Sequence, residues 1–204
     1  MKTIYTIGYS GFSLESFKNV LLKNRISCVI DVRSNPVSNY FQDYNSNNLE
    51  PYLKKYNIIY RNYGPFFGAR QKEMKYYPNG YLDFKLFSKS ERFKEGFQKI
   101  NAGIELNYSF VLMCAEKDPF DCHRAIMVSR FFYENGFDVK HILADESFET
   151  QEMIEQKLVD RFFPNRNQLS LFSGEETTQD LIKKGYDLRN EEIGYRIKEE
   201  DDYE

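Results

Sequence analysis

Ser109-Phe-Val-Leu-Met-Cys114, then Ala115-Glu-Lys-Asp-Pro-Phe-Asp-Cys-His-Arg124, then Ala125-Ile-Met-Val-Ser-Arg-Phe-Phe-Tyr-Glu-Asn-Gly136 is the stretch that decides the fold. Its first part is an uninterrupted apolar run of strand length, as a strand buried on both faces requires. Its last part has helical periodicity and stops at Asn135-Gly136, a C-cap signal. The polar residues between them therefore occupy a strand-to-helix turn. Asp121 stands where an N-cap belongs, which predicts a helix over His123–Asn135 with Cys122, His123 and Arg124 at its first turn. Free N–H groups and the helix dipole there would favour an anion.

The same alternation extends in both directions. Strands are predicted at Thr3–Gly8, Cys28–Arg33, Ile58–Tyr63, Phe110–Cys114 and Val139–Leu143, and helices at Leu14–Asn24, Asn48–Tyr56, Glu91–Ile100, His123–Asn135 and Phe148–Phe162. Such an order implies right-handed crossovers and a mainly parallel sheet covered on both faces, an α/β domain of three layers. Its ligands would collect beyond the carboxyl ends of the strands. Gly8-Tyr9-Ser10, Asp31 to Pro36 and Cys114 to Arg124 each follow such an end, so they are expected to meet in one cleft.

The 204 residues suit one domain, assigned to 1–163, followed by a flexible acidic tail, 164–204. The net charge of −3 is uneven, because the tail has six Lys/Arg against eleven Asp/Glu. The rest is faintly basic, far from the excess of a protein that coats nucleic acid without sequence preference. There is no long apolar run to act as a signal or a membrane span, so a cytoplasmic protein with no membrane partner is expected. Three cysteines, Cys28, Cys114 and Cys122, form no disulfide-scaffold pattern and are expected to be reduced.

Thr6-Ile-Gly-Tyr-Ser10, Val29-Ile-Asp-Val-Arg-Ser-Asn-Pro36, the Gly64-to-Arg70 loop and Cys114 to Arg124 together resemble the bacterial family called domain of unknown function 488. The family often has His where this chain has Tyr9, so the resemblance implies no imidazole role there. It implies a fold and no reaction.

The candidate ligand-binding residues are Gly8, Tyr9, Ser10, Asp31, Arg33, Arg70, Cys114 and Arg124, with the three arginines as fork-shaped donors. Glu116, Asp118, Cys122 and His123 are the candidate catalytic residues. The carboxylates would serve as acid or base, and Cys122 as a thiol lowered by its helix terminus and neighbours. A metal held by Cys114, Cys122 and His123 is less expected, since the thiols are eight positions apart without a Cys-x-x-Cys pair, and no cofactor is assigned. Packing roles compete at every position: in that reading Asp31 and Arg33 only cap or pair, and the glycines serve only turns.

Residues 60–81 form an aromatic and basic insertion. Arg61, Arg70, Lys72 and Lys75 would meet phosphates while Tyr63, Phe66, Phe67, Tyr76 or Tyr77 stack on bases, or the rings would form a satellite cluster beneath the loop. In the tail, a short helical turn is expected near Gln179–Lys184. Gln168-Leu169-Ser170-Leu171-Phe172 resembles the pentapeptide by which bacterial replication and repair proteins dock on the sliding clamp. The three apolar side chains would fill a groove and Gln168 would anchor them.

The preferred expectation is a protein that acts on or senses nucleic acid or a nucleotide in DNA maintenance, recruited by the clamp. A thiol-dependent small-molecule enzyme and a non-enzymatic binding module remain as rivals.

Overall fold

A six-stranded sheet in the order β3-β2-β4-β1-β5-β6 organises the chain, as seen in a computed structural model that describes residues 2–165 and 177–197. The strands are β1 Thr3–Gly8, β2 Cys28–Asp31, β3 Ile59–Asn62, β4 Phe110–Cys114, β5 Asp138–Ile142 and β6 Phe148–Thr150. The first five run parallel and β6 returns antiparallel to β5. The α/β fold expected from the alternation is the observed one.

β4 shows why the sheet needs cover on both faces. Phe110, Leu112 and Cys114 enter one apolar cluster, with Phe67, Phe87, Phe93 and Phe132. Val111 and Met113 enter the other, with Phe17, Leu21, Leu49 and Leu53 from α1 Leu14–Lys23 and α2 Ser46–Lys54. The period of two along a strand divides one sequence run between the two cores.

The first face carries α3 Gly64–Phe67, α4 Phe84–Ser88, α5 Glu91–Glu105, α6 Arg130–Glu134, α7 Gln151–Phe162 and α8 Thr178–Ile193. Three local readings are revised. The helix after the polar turn begins with a π-helical stretch, Arg124–Ser129, in which Arg130 N–H donates five residues back to the Ala125 carbonyl. Residues 148–150, expected as the start of a helix, pair instead as β6, and the helix begins at Gln151. The segment expected to hold only a helical turn forms the 16-residue α8, opened by a capping box between Thr177 and Asp180.

Helix α8 packs Leu181 and Tyr186 inward and is also held by polar side chains, whose contacts apolar periodicity does not reveal. Asn190 accepts from Phe84 N and donates to the Leu82 carbonyl, both at 2.8 Å. Arg189 donates to the Phe120 carbonyl at 3.1 Å and pairs with Asp121. The aromatic insertion resolves in favour of packing: Phe67, Tyr76 and Tyr77 are buried, and Tyr63 and Phe66 lean on the same cluster. Lys75 is paired with Glu73, leaving Arg70 as the insertion's contribution to the cleft described below. Among the described residues no helix is long and apolar enough to cross a membrane. Gln168–Phe172 lies outside the described residues.

Candidate functional site

Strands β1, β2 and β4 end side by side, and the chain leaving each of them lines a cleft of about 440 Å³. Tyr9 follows β1; Arg33, Ser34 and Asn35 follow β2; Cys114, Ala115, Glu116 and His123 follow β4. Arg70 and Tyr195 close it from the side, the guanidinium carbon lying 4.6 Å from the ring centroid. The convergence read from strand ends is present.

Gly8 is required by close approach. A Cβ there would lie 1.8 Å from the Glu116 carbonyl oxygen and 3.0 Å from Arg124 Nη2, so any side chain displaces the turn after β4. Ser10 joins through its backbone, its N–H donating to the Ala115 carbonyl at 3.1 Å, while its side chain is exposed. Ser34 Oγ accepts from Arg70 N at 2.8 Å and so ties the Arg70 loop to the end of β2.

Asp31 is buried and does not line the cleft. It receives Arg33 Nε at 2.9 Å, Arg33 Nη2 at 2.6 Å and the Tyr60 hydroxyl at 2.6 Å. Arg33 Nη2 also donates to the Tyr44 carbonyl at 2.7 Å, whereas Nη1 turns to the Tyr9 hydroxyl at 3.3 Å, beside the cleft. Burial opposes the charge of Arg33, but the Asp31 carboxylate outweighs it and keeps the guanidinium ionised. Asp31 is thus a holder of Arg33 and not a helix cap.

The polar turn differs from its expected form. Asp121 makes no N-cap; its carboxylate meets Arg189 of α8. The cap in this turn is Asp118, which accepts from Phe120 N at 2.9 Å and faces a second, acidic cleft on the far side of the turn. Two of the three N–H groups expected to be open to an anion are occupied: Cys122 N donates to the Pro119 carbonyl at 3.2 Å, and Arg124 N to Cys122 Sγ at 3.4 Å. Arg124 is 0% exposed. Its Nη1 donates to the Glu116 carbonyl at 2.6 Å and its Nη2 to that of Lys117 at 3.3 Å, while Nε has no partner among the described residues. Instead of offering a fork to a ligand, Arg124 holds the turn around the cleft floor.

That floor gathers four reactive groups. The Cys122 thiol donates to Glu116 Oε2 at 3.0 Å, and His123 Nδ1 lies 3.9 Å from both Cys114 Sγ and Cys122 Sγ. His123 Nε2 is 3.1 Å from the Val32 carbonyl. A carbonyl only accepts, so Nε2 carries a proton, and in the neutral form of the ring the Nδ1 lone pair faces the sulfurs. Burial pushes the Cys114 thiol well above its usual range, with Cys122 and Glu116 adding to the effect. Burial also opposes ionisation of Cys122, but Cys114, Arg124 and His123 outweigh it and hold that thiol well below the usual range. Although the residue as a whole is exposed, the Glu116 carboxyl is raised by desolvation of its head over the cleft floor and by the neighbouring Cys122 sulfur. His123 is raised despite its burial, because Cys122 and Glu116 favour the imidazolium.

Sequence reasoning missed Ile193, Tyr195, Val37 and Ser38 as parts of the cleft wall, whereas Ser34 and Asn35 belong to the Asp31-to-Pro36 stretch expected there. The capping-box spacing of Thr177 and Asp180 was the available sign of the helix that delivers the first two. Comparison with curated proteins and with solved structures finds no match for the chain. A family model described as Domain of unknown function DUF488 matches residues 13–131, which include the end of β2, the Arg70 loop and the polar turn but not Gly8 to Ser10. A match over more than half of the chain, on the segments that build the cleft, places the protein in the DUF488 family.

Proposed function

We propose that the cleft takes a phosphate-bearing, nucleotide-like group and that the protein acts on or senses nucleic acid. The observation that carries this reading is the placement of Arg33 and Arg70 on the wall of the same cleft whose floor holds Glu116 and His123. Planar guanidinium forks suit phosphate oxygens, and the volume is that of a pocket for a small ligand. Tyr195 beneath Arg70 adds a half-buried aromatic ring of the kind that stacks on bases, whereas Tyr9 is buried between Arg33 and Tyr44 and serves to support Arg33. The loop that lines the cleft with Ser34, Asn35, Val37 and Ser38 also carries the exposed rings of Tyr40 and Phe41.

Recruitment by a sliding clamp through Gln168–Phe172 belongs to the same proposal. In the chain, the pentapeptide falls between α7 and α8, so it would be presented as a connection and not as a free end. A thiol nucleophile is less well supported: Cys122 is 1% exposed and does not line the cleft.

Fluorescence anisotropy with labelled single-stranded, duplex and damaged DNA at several salt concentrations tests the reading. Salt-dependent binding is expected, and Arg70→Ala should reduce the slope of log K against log salt by about 1. No salt-dependent binding to any of the three would overturn it. Calorimetric titration with a bacterial clamp tests recruitment separately, with micromolar affinity, about −8 kcal/mol, expected for the wild type and lost in Leu171→Ala/Phe172→Ala.

A further inference from the structure

We propose that Cys114 Sγ, Cys122 Sγ, His123 Nδ1 and a Glu116 carboxylate oxygen form a binding site for a zinc-type divalent transition metal at the cleft floor. The inference rests on donor geometry within the chain and stands whether or not the cleft takes a nucleotide. One ligand atom from each of the four residues lies within 4.8 Å of all the others. Tetrahedral zinc, with bonds of about 2.0–2.3 Å, needs donors roughly 3.3–3.8 Å apart. The measured separations of 3.0, 3.9 and 3.9 Å approach those edges, so small side-chain adjustments close the set.

The surroundings match what a metal ligand needs. His123 Nε2–H donates to the Val32 carbonyl, which fixes the ring and leaves Nδ1 as the coordinating nitrogen. The Arg124 backbone N–H donates to Cys122 Sγ, as N–H groups do toward metal-bound thiolates. Two thiolates and a carboxylate around a dication leave one excess negative charge. The buried Arg124 guanidinium, whose Nε has no partner among the described residues, is the adjacent cation that offsets it.

The thiols fix the metal class, since soft sulfur donors with an imidazole select zinc and its neighbours over magnesium or calcium. They also fix the rigidity of the site. Cys114 ends a central strand and Cys122 packs in the core, whereas Glu116 alone of the four is exposed. Glu116 is therefore the ligand able to give way to water or to a phosphate oxygen from the cleft, leaving a three-ligand metal with an open position, the arrangement of catalytic zinc sites. On binding, the thiol protons are released to solvent and no other bond changes.

Cobalt(II) is the probe. The full-length reduced protein, stripped with a chelator, is titrated with Co(II) in the absence of nucleic acid while thiolate-to-cobalt charge transfer and tetrahedral d–d absorption are recorded. One equivalent is expected to bind with both signals, and zinc is expected to displace it. Cys114→Ser and Cys122→Ser should each weaken binding at least tenfold and reduce the charge-transfer band. Glu116→Gln, at an exposed position with little bearing on folding, should keep that band and alter the d–d pattern. Absence of the band in the wild type, or its survival in a Cys114→Ser/Cys122→Ser variant whose circular dichroism is unchanged, would overturn the site. Because no DNA is present, failure here leaves the anisotropy result untouched, and the converse also holds.

Discussion

Two buried polar clusters flank the central strands, and each is built around one of the two histidines. On the α7 side, His141 accepts from Thr6 Oγ1 at 2.8 Å and donates to Gln151 Oε1 at 3.0 Å. Gln151 Nε2 donates in turn to the Tyr186 hydroxyl at 2.8 Å and the Ala125 carbonyl at 3.3 Å, and Tyr186 donates to Glu155 at 3.3 Å. Every polar atom of the His141 and Gln151 side chains has a protein partner, so the network is closed. At the cleft floor, His123 has one good partner, the Val32 carbonyl, and turns its other nitrogen toward two thiols at a distance too great for strong bonds. A closed network leaves nothing for a ligand and serves the fold; an open one keeps donor atoms in reserve.

Breaking the closed cluster should produce the largest loss of stability. Gln151→Leu removes the acceptor of His141, the donor to Tyr186 and the tie to Ala125, leaving buried polar groups unpaired. About 3 kcal/mol is expected, at about 1 kcal/mol for each of the three lost bonds, the one that strands the His141 N–H included. Urea unfolding reads it as a lowered midpoint with unchanged slope. A loss under about 1 kcal/mol would show that the cluster tolerates an open partner and that the distinction between the two histidines is not energetic.

Acid should separate the histidines by sign. Burial, aided by the Arg124 charge, lowers His141 to about 3, well below its unfolded value near 6.5. Its stabilising contribution is complete above pH 6.5 and is lost as pH falls toward 3, by about 2 kcal/mol at pH 5. His123, raised in the folded state, contributes in the opposite sense: its share is complete below pH 6.5 and is lost as pH rises through its folded value. Urea midpoints of wild type and His141→Gln between pH 7.5 and 5 test this. The wild type should lose stability more steeply, and parallel curves would mean that His141 is protonated in the folded protein.

The fold was legible where one residue type repeats along a strand or a helix. Phe110–Cys114 announces a central strand because both of its faces are apolar, and the end of β2 announces the cleft because polar residues follow it directly. What escaped depends on polar contacts between distant segments. Helix α8 is held by Asn190 on Leu82 and Phe84 and by Arg189 on Phe120 and Asp121, pairings across more than a hundred positions in the first case. Arg124 was legible as important but not as inward-facing, because a guanidinium that bonds to backbone carbonyls leaves no mark in side-chain spacing. The thiols, eight positions apart, meet because the turn after β4 folds back on Gly8, a closeness set by the absence of one Cβ.

The smallest effect on stability should come from the open cluster itself. In His123→Gln the new amide can still donate to the Val32 carbonyl, replacing the one strong bond the imidazole makes. What is lost at Nδ1 is a pair of 3.9 Å contacts with sulfur, weak acceptors and weak donors alike. A loss within about 1 kcal/mol is expected by urea unfolding, a third of that for Gln151→Leu. The same variant should bind cobalt far more weakly, because an amide replaces the imidazole lone pair. If His123→Gln proved as destabilising as Gln151→Leu, the cleft floor would be a structural cluster like its counterpart, and its donors would be committed to the fold. A small loss with impaired metal binding would instead assign the two histidines to different tasks, one spent on holding β5 to α7 and the other kept for chemistry at the end of β4.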